Sequence, residues 1–139
     1  MNSISPQYIF VYGTLRRDTR HEMYRLLARH AQFMGDATFR GRLYLVDDYP
    51  GAVASSSPGD QVRGEVYLLL HPDDVLPKLD EYEEFDPQSP ETSLYRRDTA
   101  EVVLDDGSRL LSWVYLYNKP TTELSRIASG DFLKAASSR

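Results

Sequence analysis

The sequence predicts an α+β fold, a small and mostly antiparallel barrel-like sheet with helices packed at its side. Two observations predict it. Apolar residues alternate along five or six stretches of the chain, as in strands with one buried face, and only two or three stretches have helical spacing. The strands are also not regularly interleaved with helices, as a doubly wound parallel sheet requires. The 139 residues fit one domain, which we expect to span residues 1–139.

The N-terminal third predicts a strand, a helix and a second, longer strand. Residues 8–12 are apolar and form the first strand, and residues 20–31 carry apolar side chains at helical spacing. Residues 33–45 alternate strictly, as on one face of a long or bent strand. Gly35 and Gly41 interrupt that strand and predict a bulge or the close approach of another strand.

The middle of the chain predicts a short strand, a strong strand and a helix. Turn signals flank a short apolar piece at residues 52–54, and residues 62–70 alternate again. A helix is predicted from Pro72 to about Glu84, with a restart at Pro77 because proline removes a helical hydrogen bond.

The C-terminal third predicts a loop followed by a hairpin. Residues 85–93 are polar and contain two prolines, which indicates a loop. Strands at 95–104 and 109–117 flank the turn signal Asp105-Asp106-Gly107. The tail from Thr121 has a weakly helical pattern.

Composition excludes several classes of function. The chain has 16 basic and 21 acidic residues, a net charge of −5, which argues against nucleic-acid binding. It has no cysteine, which excludes disulfides, thiolate zinc sites and cysteine nucleophiles. No apolar run approaches the ~18 residues that span a membrane, and the first residues lack the pattern of a signal peptide. We therefore expect a cytoplasmic protein that contacts neither membrane nor nucleic acid.

The first strand ends abruptly at a glycine-led turn, Tyr12-Gly13-Thr14-Leu15. The turn offers backbone amides, the Thr14 hydroxyl and the Tyr12 phenol. An apolar strand that ends in a polar corner is one way to build a small-molecule pocket, and an edge strand ending in a plain turn is the alternative. The basic residues that follow the turn, Arg16, Arg17 and Arg20, are interpreted as a solvated cluster.

A second segment of interest is the acidic stretch Leu79-Asp80-Glu81-Tyr82-Glu83-Glu84-Phe85. We expect at least three of its four carboxylates to face water. Glu83 differs because it lies four residues after Leu79, on the same helix face as Tyr82. The helix C-terminus, partial burial and like-charged neighbours would all raise its pKa, as a general acid/base near neutral pH requires.

Four motifs resemble the gamma-glutamylcyclotransferase-like family, and more narrowly its AIG2-like and gamma-glutamylamine cyclotransferase branch. In chain order they are Val11-Tyr12-Gly13-Thr14-Leu15, Gly64-Glu65-Val66-Tyr67, Leu79-Asp80-Glu81-Tyr82-Glu83 and Tyr95-Arg96-Arg97. They fall within a core of about residues 8–117. The resemblance implies a small mixed barrel with flanking helices.

The resemblance also implies a reaction, in which the α-amine of a gamma-glutamyl compound attacks its own side-chain carbonyl. The products are 5-oxoproline and an amine or amino acid. The nucleophile belongs to the substrate, so the resemblance implies no metal and no cofactor. It assigns the proton transfers to Glu83 and substrate binding to Tyr12, Gly13, Thr14, Leu15 and Tyr95.

The resemblance leaves some roles open. Tyr49 and Pro50 correspond to a loop facing the pocket or to a plain turn, and Arg97 is expected to pair with an acid of the 80–84 cluster. Many family members have glycine after the catalytic glutamate, where this chain has Glu84; at a positive φ angle that glutamate would cost about 1 kcal/mol. The alternatives are a non-catalytic binding module and an amide hydrolase that releases glutamate. We expect a monomer.

Overall fold

Seven strands and two helices make up the part of the chain that a computed structural model describes, residues 7–13, 15–16 and 22–133. A short 3₁₀ turn spans Pro90–Thr92. The elements in chain order are β1 (Tyr8–Val11), α1 (Glu22–His30), β2 (Ala31–Val46), β3 (Tyr49–Ala54), β4 (Gln61–Leu69), α2 (Pro72–Tyr82), β5 (Tyr95–Leu104), β6 (Arg109–Tyr117) and β7 (Ser125–Arg126).

The strands form one mixed barrel. Antiparallel pairing joins β1 to β4, β4 to β2 and β2 to β3, and parallel pairing joins β3 to β6 and β6 back to β1. β5 pairs antiparallel with β6 and also reaches β2. This confirms the predicted small barrel, mixed and mostly antiparallel, with helices at its side.

β2 serves two sides of the barrel because it is long and bent. Its register against β4 shifts between Phe33 and Gly35, which is the predicted bulge. At Gly41 a Cβ atom would lie 2.5 Å from the Val53 carbonyl oxygen and 2.6 Å from the Phe39 ring. Glycine therefore permits the close approach of β3, also as predicted.

β1 is a central strand, and the alternative of an edge strand is wrong. It pairs with β4 on one side and β6 on the other. Phe10 belongs to the cluster inside the barrel, whereas Ile9 and Val11 belong to the cluster under the helices. Both faces of β1 are buried, which explains why the segment is apolar throughout.

α2 is continuous, so the predicted restart at Pro77 is wrong. The helix begins at Pro72 and ends at Tyr82, two residues before the predicted end. Pro77 is exposed, and its missing N–H affects only the first-turn carbonyl of Asp73. The buried side chains of Val75 and Leu79 hold the helix against the barrel. No helix of the described residues is long and apolar enough to cross a membrane.

The hairpin strands at 95–104 and 109–117 are confirmed, whereas the helical tail is wrong for residues 121–131. β7 pairs with β2, and the Ile127 N–H donates to the Leu43 carbonyl at 2.7 Å. Arg126 also forms a 2.8 Å ion pair with Asp60. These distant partners give the segment hydrogen bonds that a short isolated helix would lack.

Candidate active site

A cavity of about 370 Å³ opens at one end of α2, where the helix meets the barrel. Its lining comes from the turn after β1, the β2–β3 turn, the end of α2 and the strands β5 and β6. The lining residues are Phe10, Val11, Tyr12, Gly13, Leu15, Asp48, Tyr49, Pro50, Tyr82, Glu83, Glu84, Tyr95 and Tyr115.

Most of the predicted site residues thus line one cavity. Tyr12, Gly13 and Leu15 from the turn line the same cavity as Glu83 and Tyr95. Tyr49 and Pro50, whose role was left open, also line it. Thr14 lies outside the described residues. The sequence reasoning missed Asp48 and Tyr115, because a turn acid and one residue of an alternating strand carry no signal of their own.

Glu83 directly follows α2 and faces the cavity. Its backbone N–H donates to the Leu79 carbonyl at 2.8 Å, which fixes the residue as the C-cap of the helix. Burial of the carboxyl raises the pKa of Glu83 to about 7, and the adjacent Glu84 carboxylate adds to the rise. Partial burial and like charge are two of the causes that the sequence predicted. Its catalytic role stays a prediction.

Glu84 adopts a left-handed conformation with φ 55°. Its N–H donates to the Glu81 carbonyl at 3.2 Å, and the Phe85 N–H donates to the Asp80 carbonyl at 2.8 Å. This pair of bonds is a Schellman motif, in which glycine is the usual residue at the left-handed position. Glu84 therefore has the positive φ angle at which a glutamate in place of the family's usual glycine is strained, and the strain costs about 1 kcal/mol.

Asp80 is buried, so the prediction that three carboxylates of the acidic stretch face water is wrong. Its Oδ1 lies 2.7 Å from Arg97 Nε and its Oδ2 lies 3.1 Å from Arg97 Nη2. The Tyr115 hydroxyl donates to Oδ1 at 2.7 Å, and the Arg97 guanidinium stacks 4.4 Å from the centre of the Trp113 ring. The pairing of Arg97 with an acid of this cluster is confirmed. The spacing of four residues from buried Leu76 was the sequence signal for the burial of Asp80.

The Tyr12 hydroxyl is bonded within the protein. It donates to the Tyr115 carbonyl and accepts from the Ala52 N–H at 3.1 Å. Burial raises the pKa of Tyr12 above its usual range. The sequence reasoning expected this phenol to bind substrate. In this arrangement its one proton is engaged, so the phenol is not a donor to a ligand. Its ring lines the cavity and its hydroxyl joins β1, β3 and β6.

Tyr95 is held in a similar way. Its hydroxyl donates to the Pro50 carbonyl at 2.6 Å, and burial raises the pKa of Tyr95 above its usual range. Its ring packs between Tyr49 at 6.3 Å and Tyr117 at 5.7 Å, centre to centre. Tyr95 therefore contributes a fixed aromatic wall.

The turn after β1 fits closely against the β2–β3 hairpin. A Cβ atom on Gly13 would lie 2.8 Å from Pro50 Cγ, so glycine allows this contact. The Arg16 N–H donates to the Gly13 carbonyl at 3.1 Å and closes the turn. Leu15 is buried in the cluster under the helices, which anchors the turn to the core.

Arg16 is buried, so its interpretation as part of a solvated cluster is wrong. Its Nε lies 3.5 Å from Glu65 Oε2, and its Nη1 lies 2.9 Å from Asp131 Oδ1. Arg17 and Arg20 lie outside the described residues. Within residues 7–13, 15–16 and 22–133, no three His, Asp or Glu side chains are grouped so as to hold a metal ion.

Comparison with known proteins identifies relatives of this chain. The family model described as gamma-glutamyl cyclotransferase, AIG2-like, matches residues 9–134. The gamma-glutamylcyclotransferase family protein YtfP of Escherichia coli is 33% identical over 127 residues, which are 90% of this chain and 95% of that protein.

Two solved structures show the same fold. The solution structure of ytfP from Escherichia coli has a TM-score of 0.62 at 30% identity, over 93% of this chain and 98% of that chain. An AIG2-like protein from Mus musculus has a TM-score of 0.63 at 24% identity, over 84% of this chain and 81% of that chain.

Proposed function

The chain belongs to the gamma-glutamyl cyclotransferase, AIG2-like family, and from this premise we propose that it is a cyclotransferase. Its substrates are gamma-glutamyl amines or gamma-glutamyl amino acids, and its products are 5-oxoproline and the free amine. The observation that carries the proposal is the position of Glu83. Its carboxyl has a pKa raised to about 7 and lies in the cavity that Tyr12, Gly13 and Leu15 also line. The proposal includes a monomer that acts in the cytoplasm.

In the proposed reaction the substrate supplies its own nucleophile. Glu83 accepts a proton from the α-ammonium, and the freed amine forms a C–N bond to the side-chain carbonyl. Glu83 returns the proton to the amide nitrogen as the original amide C–N bond breaks. The ring nitrogen then loses its second proton to the freed amine, which leaves as an ammonium. The atoms balance without water or cofactor. A carboxyl whose pKa lies near 7 suits both transfers, because it gains and loses a proton at similar expense near neutral pH.

The cavity would supply orientation. Bringing the amine and carbonyl together is worth several kcal/mol, since oriented intramolecular reactions reach effective molarities of about 10⁵ M or more. The backbone amides of the turn from Tyr12 to Leu15 would hold the glutamyl carboxylate or the oxyanion. The rings of Tyr12 and Tyr95, fixed by their own hydrogen bonds, would exclude the extended conformers of the substrate.

The test is product analysis with a panel of gamma-glutamyl amines and amino acids. Wild-type protein should release 5-oxoproline in equal amount to the free amine, as measured by mass spectrometry. Glu83→Gln should lower kcat at least about 100-fold, since a general acid/base contributes that much or more. Glu123→Gln is the matched control, because Glu123 is exposed and does not line the cavity.

Other outcomes would replace the proposal. Release of glutamate carrying oxygen from labelled water would make the protein an amide hydrolase. Ligand binding without turnover in wild type would make it a binding module, a reading favoured by Glu84 in place of the usual glycine. Full activity in Glu83→Gln with loss in Glu84→Gln would move the catalytic role to Glu84.

A further inference from the structure

Among the described residues, the cavity lining offers carboxyl groups and no cation. Three of its lining residues, Asp48, Glu83 and Glu84, have carboxyl groups. None of the described lining residues is a lysine, an arginine or a histidine. In the proposed reaction Glu83 meets the α-ammonium of the substrate, which leaves Asp48 and Glu84 to face another part of it.

Asp48 and Glu84 lie at the mouth of the cavity and come from two different elements. Asp48 belongs to the turn between β2 and β3, and Glu84 follows the end of α2; both are exposed. Both carboxylates act on Tyr49, which also lines the cavity: burial chiefly raises the pKa of the Tyr49 hydroxyl, and the charges of Asp47, Glu84 and Asp48 raise it further. Acidic groups from two elements therefore act on the same point.

Glu84 also lines a second groove, which is acidic as well. Glu81, Glu84 and Asp86 contribute to its lining. Two cations line it as well: Arg97 is paired with Asp80, and Lys119 is exposed, with its Nζ donating to the Thr92 carbonyl at 3.1 Å. The carboxylates still outnumber the cations, because Asp80 also belongs to the lining. A substrate that extends past Glu84 thus enters a second region of negative charge.

We propose that Asp48 and Glu84 select gamma-glutamyl amides whose released amine carries a second positive charge, such as a diamine. This inference rests on the proposed function and deepens it. A second ammonium on the leaving group gains attraction from both carboxylates, whereas a carboxylate on the leaving group, as in a gamma-glutamyl amino acid, is repelled. Glu84 holds its charge at the mouth in a left-handed conformation that glycine adopts without strain, consistent with a functional use of that charge.

The experiment compares three amides of similar length, the gamma-glutamyl conjugates of putrescine, pentylamine and γ-aminobutyrate. They place a cation, no charge and an anion at the far end of the leaving group. We expect kcat/KM to be about tenfold higher for the putrescine conjugate than for the pentylamine conjugate, and lowest for the γ-aminobutyrate conjugate. Added salt should reduce these ratios, because both carboxylates are exposed.

Variants identify the groups responsible. In the double variant Asp48→Asn with Glu84→Gln, the ratio of kcat/KM between the putrescine and pentylamine conjugates should fall to about one, whatever happens to the common rate. The double variant Glu91→Gln with Glu123→Gln removes the same number of charges at exposed residues that line neither cavity nor groove, and it should leave the ratio unchanged. Circular dichroism would verify that each variant is folded.

The two proposals fail separately. If all three conjugates yield 5-oxoproline with equal kcat/KM, or if the γ-aminobutyrate conjugate is preferred, the charge selection is wrong and the cyclotransferase stands. If no conjugate yields 5-oxoproline, the cyclotransferase is wrong, and calorimetric affinities of the same three amides then decide the selection. Equal affinities would overturn it.

Discussion

At the scale of single residues, Glu83 should make the stability of the protein depend on pH. Its folded pKa of about 7 lies above the ordinary value of 4.5, so its stabilising contribution is present below pH 4.5 and is lost as the pH rises through 7. Glu83→Gln stays neutral throughout. We expect the variant to match wild type in urea unfolding at pH 4 and to exceed it by up to about 3 kcal/mol at pH 8. An equal difference at both pH values would contradict this.

Glu84 allows two effects of one side chain to be separated. Glu84→Gly removes the left-handed strain and should raise the free energy of unfolding by about 1 kcal/mol. It also removes the like charge beside Glu83, so the acidic limb of the kcat/KM profile should move to lower pH. Glu84→Gln should move the limb in the same direction without the gain in stability. The prediction fails if the two variants are equally stable.

We predict that the Tyr12 hydroxyl stabilises the fold rather than taking part in the reaction. Tyr12→Phe leaves the buried Tyr115 carbonyl and the Ala52 N–H without this partner, which should lower the free energy of unfolding by about 1–3 kcal/mol. Turnover should fall less than in Glu83→Gln at a temperature where both variants are folded. A variant of full stability but abolished turnover would instead give the phenol a catalytic role.

At the scale of elements, the end of α2 is fixed to the β5–β6 hairpin through Asp80. Removing one partner of this buried pair leaves the other charge uncompensated, so Asp80→Asn should cost about 3 kcal/mol. In a double-mutant cycle with Arg97→Met, we expect a coupling of about 1–3 kcal/mol from chemical unfolding. Additive effects would show that the ion pair does not hold the helix end.

The elements also show what sequence can predict. Alternation and the Asp105-Asp106-Gly107 turn predicted β5 and β6 to the residue, since Gly107 has the positive φ of 92° that such a turn needs. The continuity of α2 through Pro77 and the pairing of β7 depend on partners distant in sequence, which local patterns do not contain. The same limit applied to the site. The sequence motifs predicted that Tyr12 and Glu83 belong to one site, and both line the same cavity. The hydrogen-bond partners of the Tyr12 phenol could be identified only from the fold.

At the scale of the whole molecule, the C-terminal segment is bound to β2 and β4, by the β7–β2 pairing and by the Arg63 N–H bond to the Gly130 carbonyl at 2.7 Å. A Cβ atom on Gly130 would lie 1.9 Å from the Gln61 carbonyl oxygen, and its φ is 71°. Gly130→Ala should therefore displace the segment and accelerate amide exchange at Ile127. Gly59→Ala is the control, because nothing lies within 4 Å of its Cβ position. Unchanged exchange in Gly130→Ala would contradict the prediction.

The same displacement should reach the cavity. Asp131 pairs with Arg16, which closes the turn after β1 through its N–H bond to Gly13. If the segment is displaced, Asp131 no longer pairs with Arg16 and the turn loosens. We therefore expect Gly130→Ala to raise KM for a gamma-glutamyl amide more than it lowers kcat. A change confined to kcat would indicate that the turn does not bind substrate.

The hydrogen-bonded frame of Tyr12, Tyr95 and Tyr115 has a consequence for how such a protein can diversify. These side chains hold the barrel together, whereas Asp48 and Glu84 are exposed and stand outside the frame. Exchanges at these two positions carry little penalty in folding, because substitutions of exposed side chains rarely change stability much. A combinatorial library restricted to Asp48 and Glu84 is therefore a rational starting point for directed evolution of new leaving-group preferences on an unchanged scaffold.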